Sequence, residues 1–163
     1  MTRPNTSRWT SLLMALALAA PALGAAACNK FAVTTPEHFV SLKRWRSTTG
    51  YKAVSPDNAV IAIRSFKHRD KGDLAYWAEI LRREMTLRKG YTLVTTQKVK
   101  TDRGHPGQRL VFRARSGKSH YTYAVALFVT RSWIHVVQTA AKDKTYAAYQ
   151  GAFDDVIASF RPR

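Results

Sequence analysis

The single cysteine of the chain follows a run of small residues, which is an arrangement with a known chemistry. Cys28 is preceded directly by Ala25-Ala26-Ala27. These residues resemble a lipobox, the sequence that lipoprotein signal peptidase recognises before the cysteine thiol is acylated, although Ala25 stands where leucine is usual. We therefore predict that Cys28 is a lipid-attachment residue that carries acyl groups such as palmitate.

The segment before Cys28 has the three parts of a secretory signal. Arg3 and Arg8 give it a positive start, and a charge-free stretch rich in Leu and Ala continues to residue 27. Its most apolar part, Leu12–Ala20, is shorter than the ~20 residues that a membrane-spanning helix needs. We predict a signal peptide over residues 1–27 and a single domain over residues 28–163.

Two other outcomes of processing stay open. The three alanines also satisfy the A-x-A pattern of ordinary signal cleavage, which would release a soluble periplasmic or secreted protein with a free thiol. An uncut leader would instead be retained as an anchor. Because the chain has one cysteine, none of these forms can contain an internal disulfide.

Basic residues alternate along one predicted strand. Arg109, Arg113 and Arg115 point to the same side of residues 108–115, since side chains alternate along a strand. The neighbouring predicted strand adds two more cations, Lys98 and Lys100. A cationic sheet face can bind carboxylates or phosphates, so these five residues form a candidate site for an anion or a partner. The alternative is that they are solvated charges that protect a sheet edge.

The charge of the whole chain agrees with an anionic partner. The chain has 27 Lys and Arg against 10 Asp and Glu, a net charge of +17, and loss of Arg3 and Arg8 leaves +15. Such a charge attracts anions, and outside the inner membrane these are lipid headgroups, lipopolysaccharide, wall polymers and extracellular DNA. Of these we expect an envelope anion as the partner in preference to nucleic acid. The alternative is that the excess only maintains solubility.

Patterns that would indicate catalysis are incomplete. Gly117-Lys118-Ser119 lacks the first glycine of a P-loop, because Phe112 occupies its position. Asp154 and Asp155 are adjacent on a predicted helix and are not spaced as an acid–base pair. No two of the five histidines have the spacing of a zinc site on a helix. We predict no metal, no cofactor and no enzymatic activity, with an unrecognised hydrolase as an alternative.

Hydrophobic periodicity predicts two long helices and seven strands. The helices span Asp73–Lys89 and Asp143–Phe160, and the connections between strands are short enough to make neighbours antiparallel. The strands are Asn29–Thr35, Tyr51–Val54, Ala59–Phe66, Tyr91–Lys100, Gln108–Arg115, Tyr121–Thr130 and Trp133–Ala140. The order β-β-β-α-β-β-β-β-α predicts an α+β fold, an antiparallel sheet flanked by the two helices.

Local motifs and this element order resemble the PsbP/DcrB-like family over about residues 30–161. The motifs are Thr34-Thr35-Pro36-Glu37, Gly104-His105-Pro106-Gly107 before an aromatic strand, and the closing Ile157-Ala158-Ser159-Phe160. The resemblance implies an antiparallel sheet with flanking helices and a binding or assembly role in the bacterial envelope. We expect a non-enzymatic lipoprotein that faces the periplasm, with a soluble basic module that binds polyanions as the alternative.

Mass spectrometry of the mature N-terminus checks the first of these predictions. We expect the protein to begin at Cys28 and to carry the added mass of its acyl groups. An unmodified Cys28 at the N-terminus would show ordinary cleavage, and a chain that still begins at Met1 would show a retained leader.

Overall fold

A computed structural model of the chain describes residues 25–28, 30–43, 50–69 and 72–163. Residues 1–24 of the predicted signal peptide lie outside this range, as does Asn29, the first residue of the first predicted strand.

The described residues form ten strands and three α-helices. The strands before the first helix are β1 (Ala25–Cys28), β2 (Phe31–Thr34), β3 (Val40–Ser41), β4 (Gly50–Val54) and β5 (Val60–Lys67). Helix α1 (Leu74–Arg83) continues into a π-helical turn, Glu84–Arg88. The remaining elements are β6 (Thr92–Lys100), β7 (Pro106–Ser116), β8 (Ser119–Val129), β9 (Trp133–Lys142), α2 (Asp143–Ala148), α3 (Gln150–Ser159) and β10 (Arg161–Pro162).

The strands form two sheets in which every pairing is antiparallel. The larger sheet has seven strands in the order β3-β4-β5-β9-β8-β7-β6, and the smaller has the order β1-β2-β10. The α+β class, the antiparallel sheet and the meander from β6 to β9 are thereby confirmed. Antiparallel pairing follows from the short turns, which leave no room for a crossover.

The predicted element order is correct only in part. The structure adds the short strands β1, β3 and β10 and divides the second predicted helix into α2 and α3. The division falls at Tyr149, whose backbone leaves the helical region at φ −101° and ψ 10°. Its hydroxyl donates a hydrogen bond of 2.8 Å to Asp57 Oδ2 in the β4–β5 turn. The contact joins the C-terminal helical segment to the β4–β5 hairpin, which is distant in the sequence. The hydrophobic periodicity of the helical segment therefore does not indicate it.

One face of the large sheet is covered by α2, α3 and the small sheet. Phe31 of β2 and Phe153 and Phe160 from the C-terminal segment are fully buried in this layer with Phe128 of β8. The rings of Phe128 and Phe160 stack with their centroids 5.1 Å apart. Aromatic pairs of this kind add to the stabilisation from apolar burial.

Among the described residues, the other face is covered by α1 and the π-helical turn that continues it. Asp73 caps the helix through a 2.8 Å hydrogen bond from Tyr76 N to Asp73 Oδ1. Its apolar side packs on β7 and β8. The side chains in this contact are Leu74, Trp77, Ala78, Leu81 and Met85 from the helical segment and Leu110, Phe112, Val125 and Leu127 from the sheet. Strand β8 is therefore covered on both faces, as its apolar sides predicted.

His135 of β9 is fully buried between the sheet and the C-terminal layer. Its Nδ1 lies 2.8 Å from Ser65 Oγ, and its ring meets the rings of Phe31 and Phe160 edge to face. Burial, with a smaller contribution from His105, lowers the pKa of His135 to about 4. The neutral imidazole is thus part of the folded core.

We expect His135 to make the protein less stable in acid. In the unfolded chain the group titrates near pH 6.5, so between that pH and about 4 the unfolded state binds a proton that the folded state does not. The free energy of unfolding should fall by roughly 3 kcal/mol as the pH falls through this window. Above the window, titration of His135 should not change the free energy of unfolding.

Urea unfolding at a series of pH values measures this effect. In His135→Gln the dependence of the free energy of unfolding on pH between 6.5 and 4 should decrease by the contribution of one proton. In His120→Gln, at an exposed position, this dependence should be the same as in wild type. An identical slope in wild type and His135→Gln would show that the buried imidazole does not control acid stability.

Candidate functional site

Cys28 is the last residue of β1 and pairs with Phe31 of β2. The three alanines before it pair with residues 32–34 of the same strand, so the predicted cleavage sequence forms a strand in the uncut chain. Cleavage before Cys28 would remove those three residues and leave β2 paired with β10. Among the described residues no helix is long and apolar enough to cross a bilayer.

Arg109 is buried, in contrast to the exposed cationic position that the strand pattern predicted. Only 6% of the residue is exposed, because α2 and α3 cover this part of β7. Its Nη1 donates to Asp154 Oδ1 at 2.6 Å, and its Nη2 donates to Tyr146 Oη at 2.9 Å. Burial acts to lower the pKa of Arg109. The contacts with Tyr146 and Asp154 outweigh burial and raise the pKa above its ordinary value, so the group stays charged. The guanidinium thus joins the sheet to both C-terminal helices.

Arg113 and Arg115 lie further along the same face and are exposed, beyond the ends of the covering helices. Neither forms an ion pair with a described residue. Arg115 Nε donates to the carbonyl oxygen of Gly117, 3.0 Å away in the β7–β8 turn. These two cations are therefore accessible to an anion.

Lys98 and Lys100 are also exposed but lie on the opposite face of the sheet. In the β6–β7 register Lys98 is opposite Gln108 and Lys100 is opposite Pro106, whereas Gln97 is opposite Arg109. Directly opposed residues share a face, and successive residues alternate. The structure therefore does not bring the five predicted residues together as one patch.

A groove that the sequence did not reveal opens on the α1 side of the sheet. It lies between the helix and strands β5 and β9 and has a volume of about 710 Å³. Its lining consists of Phe66, Lys67, His68, Arg69, Trp77, Ile80, Leu81, Glu84, Leu127, Ile134 and Val136. The groove is open to solvent, since Phe66 is 51% exposed and Ile80 is 42% exposed.

The helical wall of the groove is held in place by Trp77. Its indole Nε1 donates to Gly72 O at 3.1 Å, and its ring meets His68 edge to face, with centroids 5.8 Å apart. A Cβ at Gly72 would lie 2.8 Å from Trp77 Nε1, so the absence of a side chain there lets the indole pack closely. His68 is itself fixed, because its Nε2 lies 3.1 Å from Thr130 O. These contacts join the helical wall of the groove to the end of β5.

The charged residues of the groove leave it positive. Arg69 is exposed and forms no ion pair within the described part of the chain. Lys67 borders the groove through its strand, but its side chain alternates with Phe66 and belongs to the other face. The one acid of the lining, Glu84, accepts a 3.0 Å contact from Arg88 Nη1. Because that charge is compensated on its own turn, Arg69 sets the sign of the opening among the described residues.

The sequence carried a partial signal for this groove. Ile80 lies beside the apolar side of α1 that packs on the sheet, and Phe66 is followed directly by Lys67-His68-Arg69. An apolar residue next to a helix side that is already apolar indicates either a wider core or an exposed site. Only the positions of α1 and β5 in space distinguish these two outcomes.

No group of three or more His, Cys, Asp or Glu side chains among the described residues could hold a metal ion. Among the described residues, the groove supplies hydrocarbon surface with one unpaired cation, Arg69, which is an arrangement suited to binding.

The Arg109 contact generates a test with a matched control one residue away. Replacement of Asp154 by Ala leaves the buried guanidinium without its carboxylate, which is 51% exposed, and should lower the free energy of unfolding by about 1.5 kcal/mol. Asp155→Ala changes the same charge at the next position, which has no ion pair among the described residues, and should stay within about 0.5 kcal/mol of wild type. Urea unfolding measures both, and equal effects would contradict the structural role of Arg109.

No protein-family model matches the chain, and no curated protein matches it in sequence. Solved structures do match it in fold. The solution structure of CyanoP, the cyanobacterial PsbP of Synechocystis, superposes with a TM-score of 0.60 at 12% identity and covers 83% of this chain and 88% of that one. The crystal structure of Mycobacterium tuberculosis LpqN, described as involved in cell envelope biogenesis, superposes with a TM-score of 0.62 at 14% identity over 80% and 82%. The chain therefore has a PsbP-like fold.

Proposed function

We propose that this chain is an exported, lipid-anchored, non-enzymatic binding protein of the bacterial cell envelope. The observation that carries the proposal is the groove between α1 and the sheet. Its volume of about 710 Å³ is in the range of ligand sites, which are usually concave, apolar and present before binding. Its half-exposed Phe66 and Ile80 are the kind of apolar surface that soluble proteins keep for a ligand or partner.

The envelope location rests on the N-terminal sequence and on one structural neighbour. The leader and Cys28 predict export and acylation. LpqN, which shares the fold, is described as involved in cell envelope biogenesis. That description supports the same compartment for this chain.

The proposed anchor and the groove lie on opposite faces of the large sheet. Cys28 pairs with Phe31, and Phe31 packs in the layer that contains α3. Three residues span at most about 10 Å, so a lipid on Cys28 holds the membrane near this layer. The groove is on the α1 face and is directed away from the attachment point. A tethered protein can therefore bind from the aqueous side.

A soluble basic module that binds polyanions is the second candidate function. It is supported by Arg113 and Arg115, which are exposed and unpaired among the described residues, and by the net charge of the chain. Electrostatic binding of this kind would weaken steeply as salt is raised.

Substitution at the processing site tests the anchor. We expect wild type to incorporate labelled palmitate and to fractionate with membranes, and Cys28→Ser to lose the label and become soluble. The matched variant Ala25→Leu restores the usual lipobox residue and should keep or increase labelling. Under ordinary cleavage the same Leu disrupts the A-x-A site and should reduce processing instead. Membrane association that persists in Cys28→Ser would contradict the lipid anchor.

A further inference from the structure

We propose that the groove beside α1 binds a single-chain anionic amphiphile, a long-chain carboxylate, with its tail along the apolar lining and its head against Arg69. This inference rests on the proposed function insofar as that function makes the groove the binding site. It adds the class of ligand.

The lining of the groove selects hydrocarbon. Phe66, Ile134 and Val136 form the sheet side, and Ile80 and Leu81 form the helix side. The one indole donor there, Trp77 Nε1, is already bonded to Gly72 O. A polar ligand would therefore lose its water without gaining hydrogen bonds, whereas an acyl chain gains free energy from each buried methylene.

The positive charge of the groove lies at one end. Arg69 lies in the loop after β5 and lines the end of the apolar surface next to His68. It forms no ion pair within the described residues. Lys67 belongs to the other face of the sheet, because it alternates with Phe66 and shares its side with the buried Ile63. An apolar channel with a cation at its end is complementary to a ligand with one anionic head and one apolar tail.

The apolar surface is too confined for a large protein interface. Beyond Phe66 the same sheet face becomes polar and carries Lys52, Arg64 and Gln138. Protein interfaces need about 800 Å² on each partner, with an extended apolar centre. The groove instead has α1 on one side, the sheet at its base and polar residues at its border, all within about 710 Å³. This size favours a small amphiphile.

Isothermal titration of the exported Cys28→Ser protein, purified free of detergent, with laurate below its critical micelle concentration tests the proposal, because this form has no acyl chains of its own. We expect saturable binding of one laurate per chain. Decanoate, two methylenes shorter, should bind about 15-fold more weakly, since each methylene contributes about fourfold. Dodecanol and dodecyltrimethylammonium have the same tail without the anionic head, so both should bind at least tenfold more weakly than laurate.

Two pairs of variants locate the site. Ile80→Glu places a charge in the groove and should weaken laurate binding at least tenfold, whereas Leu87→Glu, at a position 79% exposed outside the lining, should bind as wild type does. Arg69→Glu should also lose at least tenfold. The control Lys67→Glu makes the same charge change two positions away, on the other face of the sheet, and should bind laurate normally. Circular dichroism confirms that each variant is folded.

Several outcomes would overturn the proposal. These are no binding of laurate, equal binding of the three head groups, or equal loss in the groove variants and their controls. Binding to phosphatidylglycerol vesicles that depends on Ile80, without binding of free laurate, would show instead that this face docks on membranes. If laurate does not bind while Cys28 of the wild-type chain is lipidated, the ligand class fails and the envelope anchor stands. If laurate binds while Cys28 of the wild-type chain is not lipidated, the anchor fails and the groove site stands.

Discussion

A helix of ten residues covers only part of one face of a seven-stranded sheet. Helix α1 is about 15 Å long and about 10 Å wide, whereas seven strands at a spacing of ~4.8 Å extend across roughly 29 Å. The helix packs on β7 and β8, where the apolar side chains are largest in number, and β5 and β9 are left partly uncovered beside it. The groove is the direct consequence of this mismatch in width.

The opposite face has no such mismatch, and this difference gives the molecule two unlike sides. Two helices and the small sheet cover it together, and the buried Arg109 holds α2 and α3 to β7 through Tyr146 and Asp154. A buried guanidinium costs free energy unless both of its ends are bonded, so this contact fixes the orientation of the layer. The predicted lipid on Cys28 would lie on the side covered by α2, α3 and the small sheet. The groove opens on the opposite side.

The periodicity of the sequence determines most of the fold. Alternation along β7 and β8, the stripe of α1 and the turn residues between strands predicted the meander and both helical regions with nearly correct bounds. Strands β1, β3 and β10 could not be predicted, because elements of two to four residues have no period and exist only through their partners. The hydrogen bond of Tyr149, at the division between α2 and α3, is to Asp57, which is 92 positions away in the sequence.

The candidate site was harder to predict than the fold, for a geometrical reason. Whether Lys98 shares a face with Arg109 depends on the register of the β6–β7 hairpin, which includes an irregularity between Leu93 and Thr95. A shift of one residue exchanges the two faces, and the residue types are compatible with either register. The groove depends on where α1 lies across the sheet, which follows from packing over the whole face and not from any local motif.

Methyl-resolved NMR during titration with laurate tests the central claim, that the uncovered strip beside α1 is a ligand site. Ile80 and Ile134 line the groove, while Ile61 and Ile63 are fully buried in the layer on the other face and serve as internal controls. The account predicts that the methyl resonances of Ile80 and Ile134 shift saturably and that those of Ile61 and Ile63 stay in place. Resonances of Ile80 and Ile134 that do not move, or a change centred on Ile61 and Ile63, would contradict it.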